Sequence, residues 1–164
     1  MILYIVRHGI AVDREDPKAP PEAERPLTAK GVQKTRSAAL GLRATGAKPD
    51  VLITSPYVRA AQTAEIFSEA LGLAVEKIRT TDTLRPSASP IDFLKEIQRL
   101  KVKEVICFGH APHLDSLISH LAGAQQTFTE LKKAGVVSFE HNATQGRWRL
   151  NWLLTPKLLR DLGR

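Results

Sequence analysis

The sequence has one cysteine, few aromatic residues and no long apolar run. Its lone thiol, Cys107, cannot close an internal disulfide and lies inside an apolar segment. That predicts a reducing compartment and a buried, inert sulfhydryl rather than a nucleophile. No apolar run approaches the ~18 residues that a membrane-spanning helix needs. The apolar run at the N-terminus is short and has no basic segment before it, which argues against a secretory signal. A soluble, cytoplasmic protein is the expectation, with no membrane partner. Aromatic residues make up 5% of the 164 positions, so stacking platforms for single strands are scarce. The basic residues are scattered and form no arginine-rich arm, and nucleic acid is not the expected partner. There is also no internal repeat, low-complexity tract or dividing linker, so a single domain over residues 1–164 is expected.

What is present is ordinary globular material, 43% hydrophobic and 25% charged. The formal net charge of +7 favours anionic partners such as a phosphoprotein or a phosphometabolite. Strand and helix patterns alternate along the chain. Ile2–Val6, Val51–Thr54 and Glu104–Gly109 read as short buried strands, and Val75–Arg79 as a weaker one. Residues 13–26, rich in Pro, Asp and Glu, read as a surface loop. Thr28 is placed to cap a helix running to about Ala44, with apolar positions at Val32, Ala39, Leu40 and Leu42. Further helices are expected over Val58–Leu71, from Pro90 to about Leu100, over Pro112–Leu121 and over Thr155–Leu162. Ala134–His141 and Arg147–Leu154 read as an edge hairpin turning at "NATQG". The fold class is α/β: a three-layer sandwich with a mostly parallel sheet flanked by helices.

In such sheets, ligands bind beyond the carboxyl ends of the strands. Three polar clusters fall there: "RHG" (Arg7, His8, Gly9), "SPYVRAAQTA" (Ser55 to Ala64) and "GHAPH" (Gly109 to His113). If the strands are parallel, Arg7, Arg59, His8 and His110 converge on one crevice. The first strand is then a rigid mount for Arg7 and His8, and Gly9 lets the backbone turn and approach a ligand. Two guanidinium forks match phosphoryl oxygens and neutralise charge during transfer. A neutral imidazole is a good nucleophile near neutral pH, and a second can donate to the oxygens. Taken singly, each residue has a plainer reading: His8 as a core histidine, Arg59 as a solvated helix cation, His110 as a turn residue. Their joint occurrence at strand ends carries the argument. A zinc site from His8, His110 and His113 is not expected, because no carboxylates stand at ligand spacing and two arginines would repel the cation.

The segments "YIVRHGIA", "RPLTAKG" (Arg25 to Gly31), "LITSPYVRAAQTA" (Leu52 to Ala64) and "VICFGHAPHLDSL" (Val105 to Leu117) resemble, in order, the landmarks of the histidine phosphatase superfamily. This is the phosphoglycerate mutase-like or RHG family. The short length and the "GHAPHL" form look most like the SixA family of phosphohistidine phosphatases. The resemblance implies that His8 is the nucleophile, that Arg7 and Arg59 bind phosphoryl oxygens, and that His110 stabilises the transferring group. It implies a further ligand contact from Arg25, a loop-orienting or ligand role for His113, a hydrogen bond from Ser55 to pocket residues, and no cofactor.

One departure concerns the proton donor. Many relatives place a glutamate after the third strand to protonate an alkoxide, whereas "TDTLRPSAS" (Thr81 to Ser89) holds only Asp82. Asp13 is a second donor candidate. The imidazole of a phosphohistidine leaves neutral once its other nitrogen is protonated, so that substrate needs a dedicated acid much less. Short loops leave little room for a lid and imply a shallow pocket suited to a phosphohistidine displayed on a protein, such as an acidic phosphotransfer domain. The alternatives are a phosphatase for a small phosphomonoester using Asp82 or Asp13, and a non-catalytic module that binds phosphorylated ligands.

Overall fold

The computed structural model describes residues 1–164. Six strands form one mixed sheet: β1 (Ile2–Arg7), β2 (Val51–Thr54), β3 (Ile78–Thr80), β4 (Glu104–Gly109), β5 (Val136–Asn142) and β6 (Arg147–Leu154). Their order is β3-β2-β4-β1-β5-β6. The first four are mutually parallel, and β5 and β6 close one edge as an antiparallel hairpin. The helices are α1 (Ala29–Ala44), α2 (Val58–Leu71), α3 (Pro90–Gln98), α4 (His113–Leu121) and α5 (Pro156–Leu162).

Side chains alternate across the sheet and divide the core in two. Leu3, Ile5, Val105 and Cys107 pack with Phe93, Ile97, Leu114 and Leu117 of α3 and α4. Tyr4, Val6, Ile106 and Phe108 face the other layer, with Ala38 and Leu42 of α1, Phe67 of α2 and Leu159 of α5. A continuous apolar run such as Val105–Phe108 is therefore needed, because both faces of the strand are covered. Cys107 is a buried core residue, and that burial pushes its thiol pKa up.

The local signals read from the chain mostly decide the ends of the elements. The Thr28 hydroxyl accepts from the Gly31 amide 3.0 Å away and starts α1, and Pro90 opens α3 at its first turn. At the hairpin turn, Asn142 Oδ1 accepts from the Thr144 and Gln145 amides. Two expectations are corrected. Val32 is exposed; of the expected positions α1 buries Ala39 and Leu42, and with them Gly31, Thr35, Ala38 and Gly41. Small residues are needed there because α5 lies very close: a Cβ on Gly41 would stand 2.0 Å from the Leu159 carbonyl oxygen. The weak strand read as Val75–Arg79 is a 3₁₀ turn over Val75–Lys77 followed by the short edge strand β3. The loop after β1 contains a single 3₁₀ turn, Glu22–Glu24.

Candidate active site

Strand register assembles the site. In the parallel β1–β4 pair, Arg7 stands opposite Gly109, and the His8 amide donates to the Gly109 carbonyl at 3.0 Å. His8 and His110 therefore leave neighbouring strands side by side, with ring centroids 5.1 Å apart. On the other flank of β4, the Ser55 amide donates to the Phe108 carbonyl at 3.0 Å, which sets the Ser55 hydroxyl 2.8 Å from His110 Nε2. The turn after Ser55 opens α2, whose first turn carries Arg59 over the same crevice. The cleft has a volume of about 820 Å³, and its lining includes Arg7, His8, Arg59 and His110 together with Asp13, Glu22, Arg25 and Lys133.

His8 is buried and held in one tautomer. Its Nδ1 lies 2.7 Å from the Gly9 carbonyl, which can only accept, so Nδ1 carries the proton. Nε2 is left with its lone pair and receives the Arg59 Nε–H at 3.3 Å. Burial, reinforced by the charges of Arg59, Arg7 and Lys133, lowers the His8 pKa to about 3. The ring is neutral at pH 7. Burial likewise takes His110 down to about 2, with the neighbouring His8 and Arg59 acting in the same direction.

The guanidinium groups are tethered. Arg7 donates from one terminal nitrogen to the Leu131 carbonyl at 2.8 Å, while its buried Nε has no partner. His110 Nδ1 is also buried without a partner. An unmet buried polar atom costs about 1–3 kcal/mol, and both of these belong to residues that line the cationic cleft. Arg59 donates to Glu22 twice, to its carbonyl at 2.6 Å and to its carboxylate at 2.7 Å. The same carboxylate takes a bidentate pair from Arg25, both contacts at 2.8 Å. Hydrogen bonds from Arg25, with the charges of Arg59 and Arg25, hold the Glu22 carboxyl below the usual glutamate range.

A family model described as histidine phosphatase superfamily (branch 1) matches residues 3–85, more than half of the chain. The chain belongs to that superfamily. An uncharacterized protein of Picosynechococcus sp. is 35% identical over 150 residues, 88% of each chain. The phosphohistidine phosphatase SixA of Escherichia coli (strain K12) is 26% identical over 166 residues, 95% of this chain and 94% of its own. Among solved structures, the protein histidine phosphatase SixA complexed with tungstate superposes with a TM-score of 0.84 at 25% identity, covering 97% of this chain and 99% of that one. An Entamoeba histolytica phosphoserine phosphatase mutant in complex with phosphoserine shares the fold, with a TM-score of 0.75 at 15% identity over 96% and 98% of the two chains. The protein is a phosphatase of the histidine phosphatase superfamily with the phosphoglycerate mutase-like fold.

Within this phosphatase, the residues expected from sequence divide into two groups. Arg7, His8, Arg59, His110, Arg25 and Asp13 all line the cleft. Asp82 lies outside it, with a side chain 78% exposed and paired to Arg85 at 2.7 Å. His113 is buried in the first turn of α4 and does not line the cleft. Gly9 faces the protein rather than a ligand: its amide donates to Thr63 Oγ1 at 3.0 Å, and a Cβ there would meet Thr35 Oγ1 at 2.2 Å. Its missing side chain serves close packing behind His8. No group of three or more His, Cys, Asp or Glu side chains is placed to hold a metal ion.

Sequence reading passed over Glu22 and Lys133. Glu22 had a usable signal, since it stands three residues before Arg25, the spacing of a local ion pair. Lys133 had none. It reaches the cleft because Ala134 adopts a left-handed backbone, φ +62°, whose amide is held by the Arg7 carbonyl at 2.9 Å.

Proposed function

We propose that this phosphatase hydrolyses phosphohistidine on a protein through a covalent phospho-His8 intermediate, within one domain spanning residues 1–164. The observation that carries the reading is the fixed tautomer of His8. With Nδ1–H bound to the Gly9 carbonyl, the Nε2 lone pair points into a cleft lined by Arg7 and Arg59, where it accepts from Arg59 Nε–H and must exchange that contact for phosphorus to react. In the first step, His8 Nε2 forms a bond to phosphorus as the P–N bond to the substrate imidazole breaks. The departing ring keeps the bond's electron pair and leaves neutral because its far nitrogen is protonated. In the second step, water attacks phosphorus and the His8 N–P bond breaks, releasing inorganic phosphate and restoring His8. Arg7 and Arg59 neutralise the oxygens throughout.

The orientation of His110 supports a donor role. The Ser55 hydroxyl accepts from the Tyr57 amide at 3.3 Å and lies 2.8 Å from His110 Nε2, and where it donates to that nitrogen the proton of the neutral ring sits on Nδ1. Nδ1 has no protein partner, and His110 lines the cleft beside His8, which suits it to donate to a phosphoryl oxygen in that tautomer. A solved relative that binds tungstate, a phosphate-like oxyanion, is consistent with such a pocket. Glu22 does not serve as a general acid in this scheme, because its arginine partners keep it ionised. The buried, unpaired Cys107 suits a reducing compartment, and we assign the activity to phosphotransfer signalling in the cytoplasm.

The presence of Asp13 in the cleft favours a second reading, a small phosphomonoester with Asp13 as proton donor. Asp82, which lies outside, does not support it. A substrate panel of phosphohistidine protein beside phosphomonoesters separates the two. Rapid-quench labelling should trap an acid-labile, base-stable phosphoenzyme that His8→Ala abolishes. Phosphate recovered on serine would overturn the mechanism, and faster turnover of phosphomonoesters would overturn the substrate.

A further inference from the structure

We propose that a basic cleft joined to the catalytic pocket docks the acidic surface surrounding the phosphohistidine of a protein substrate. The inference rests on the phosphohistidine reading above and names the region of the enzyme that recognises the carrier. Arg7 and Lys133 line both the catalytic cleft and a neighbouring cavity of about 460 Å³ that also contains Lys34, Lys132 and Glu130. Lys34 and Lys132 in turn line a further cavity of about 460 Å³, together with Lys157 and Arg160 and no carboxylate. The phosphoryl site therefore opens onto a continuous run of cations: Arg7, Lys133, Lys132, Lys34, Lys157 and Arg160.

These residues come from the end of β1, the second turn of α1, the loop before β5, and α5. Their convergence is tertiary and invisible in the chain, where the basic residues look scattered. Protein carboxylates neutralise only part of the run. Lys132 pairs with Glu130 at 2.9 Å and Arg160 with Asp161 at 3.3 Å, while Lys34, Lys133 and Lys157 enter no ion pair. Like charges gathered without counterions repel one another, and an anionic partner relieves that repulsion.

The shape and chemistry of the lining select the class of anion. Two cavities joined to the phosphoryl site through shared lining residues are more than one phosphate ester occupies. Neither lining contains an aromatic side chain, so there is no platform for bases, and the cavity beyond Lys34 has no hydrophobic lining residue. Separate, mobile lysine ammonium groups suit the dispersed carboxylates of an acidic protein face.

The test compares two substrates on the intact enzyme: an acidic protein phosphorylated on histidine, and phosphoramidate as the small N–P compound. The double charge reversal Lys34→Glu/Lys157→Glu and the neutral pair Lys34→Gln/Lys157→Gln are read as the ratio of kcat/KM for protein to that for phosphoramidate. The reversal should lower that ratio about ten-fold or more, with the neutral pair in between, and both should flatten the salt dependence of protein turnover. A ratio within about two-fold of wild type in both variants overturns the docking cleft. So does a wild type that turns over phosphoramidate but not the acidic protein. So does inhibition by an oligonucleotide where the unphosphorylated acidic protein has no effect. Failure of the wild type on both substrates would instead overturn the phosphohistidine reading itself.

Discussion

Lowering the pH from 7 to 5 should destabilise this protein by an amount that follows from two buried rings. His8 and His110 fall from 6.5 to about 3 and about 2 in the folded state, so neither binds a proton at pH 5. In the unfolded chain both titrate near 6.5 and are almost fully protonated at pH 5. The unfolded state binds more protons, so stability rises with pH across this window and is lost as pH falls through the unfolded value. Integrating from pH 7 to 5 gives about 2 kcal/mol for each ring, or about 4 kcal/mol together. His113, also lowered by burial, adds in the same direction. The depressed carboxylates, Glu22 and Asp50, contribute above their unfolded values, and their share is lost only at lower pH, which separates the two effects. Against a typical total of about 5–15 kcal/mol, such a loss is large. Urea unfolding at pH 7, 6 and 5, in buffers free of phosphate and similar oxyanions, measures it. His8→Ala should remove about 2 kcal/mol of the pH-dependent loss. Stability that is flat within about 1 kcal/mol, or a full loss retained in His8→Ala, would refute the claim that these rings are buried and neutral.

Other perturbations address the clamp and the packing. Arg59→Ala removes the donor aimed at His8 Nε2 and one arm of the phosphoryl clamp, and kcat should fall about 10²–10³-fold; near-normal turnover would exclude the clamp. Glu22→Gln removes a negative charge bound to Arg59 and Arg25. A like charge within several Å of a bound phosphate is worth roughly 1–3 kcal/mol, so inorganic phosphate should inhibit at least about five-fold more tightly. An unchanged inhibition constant would show that the carboxylate does not oppose the ligand. Gly41→Ala drives a methyl group into the Leu159 carbonyl, and should cost about 1–3 kcal/mol and lower Tm by about 3–10 °C. A melting curve matching wild type would show that α5 yields freely.

Much of the scaffold was legible because its cues are local. The apolar run Val51–Thr54 became β2 with the same bounds, and Thr28 and Pro90 mark helix starts through their own hydroxyl or ring. Reading failed where packing between helices decides. Val32 looked like a core position, but α1 presents its small residues to α2 and α5 and leaves Val32 in solvent. In the site, Arg7, His8, Arg59 and His110 were legible as candidates because each ends or follows a strand or opens a helix, and parallel pairing brings such positions to the carboxyl end of the sheet. Asp82, one of the two donor candidates, lies outside the cleft, because sequence cannot say which way a loop carboxylate turns and a nearby arginine holds it outward.

From the chain alone came the alternation of strands and helices, the caps, and the residue types placed at the strand ends. These depend on hydrophobic period and on hydrogen bonds between near neighbours, which a linear sequence carries. Only the tertiary structure decided the approach of Arg59 to His8, the contact between Glu22 and Arg59, the arrival of Lys133 and the basic run beyond Arg7. Each of these joins segments far apart in the chain. Their energies depend on distance and burial in space, quantities that exist only once the sheet has set its register.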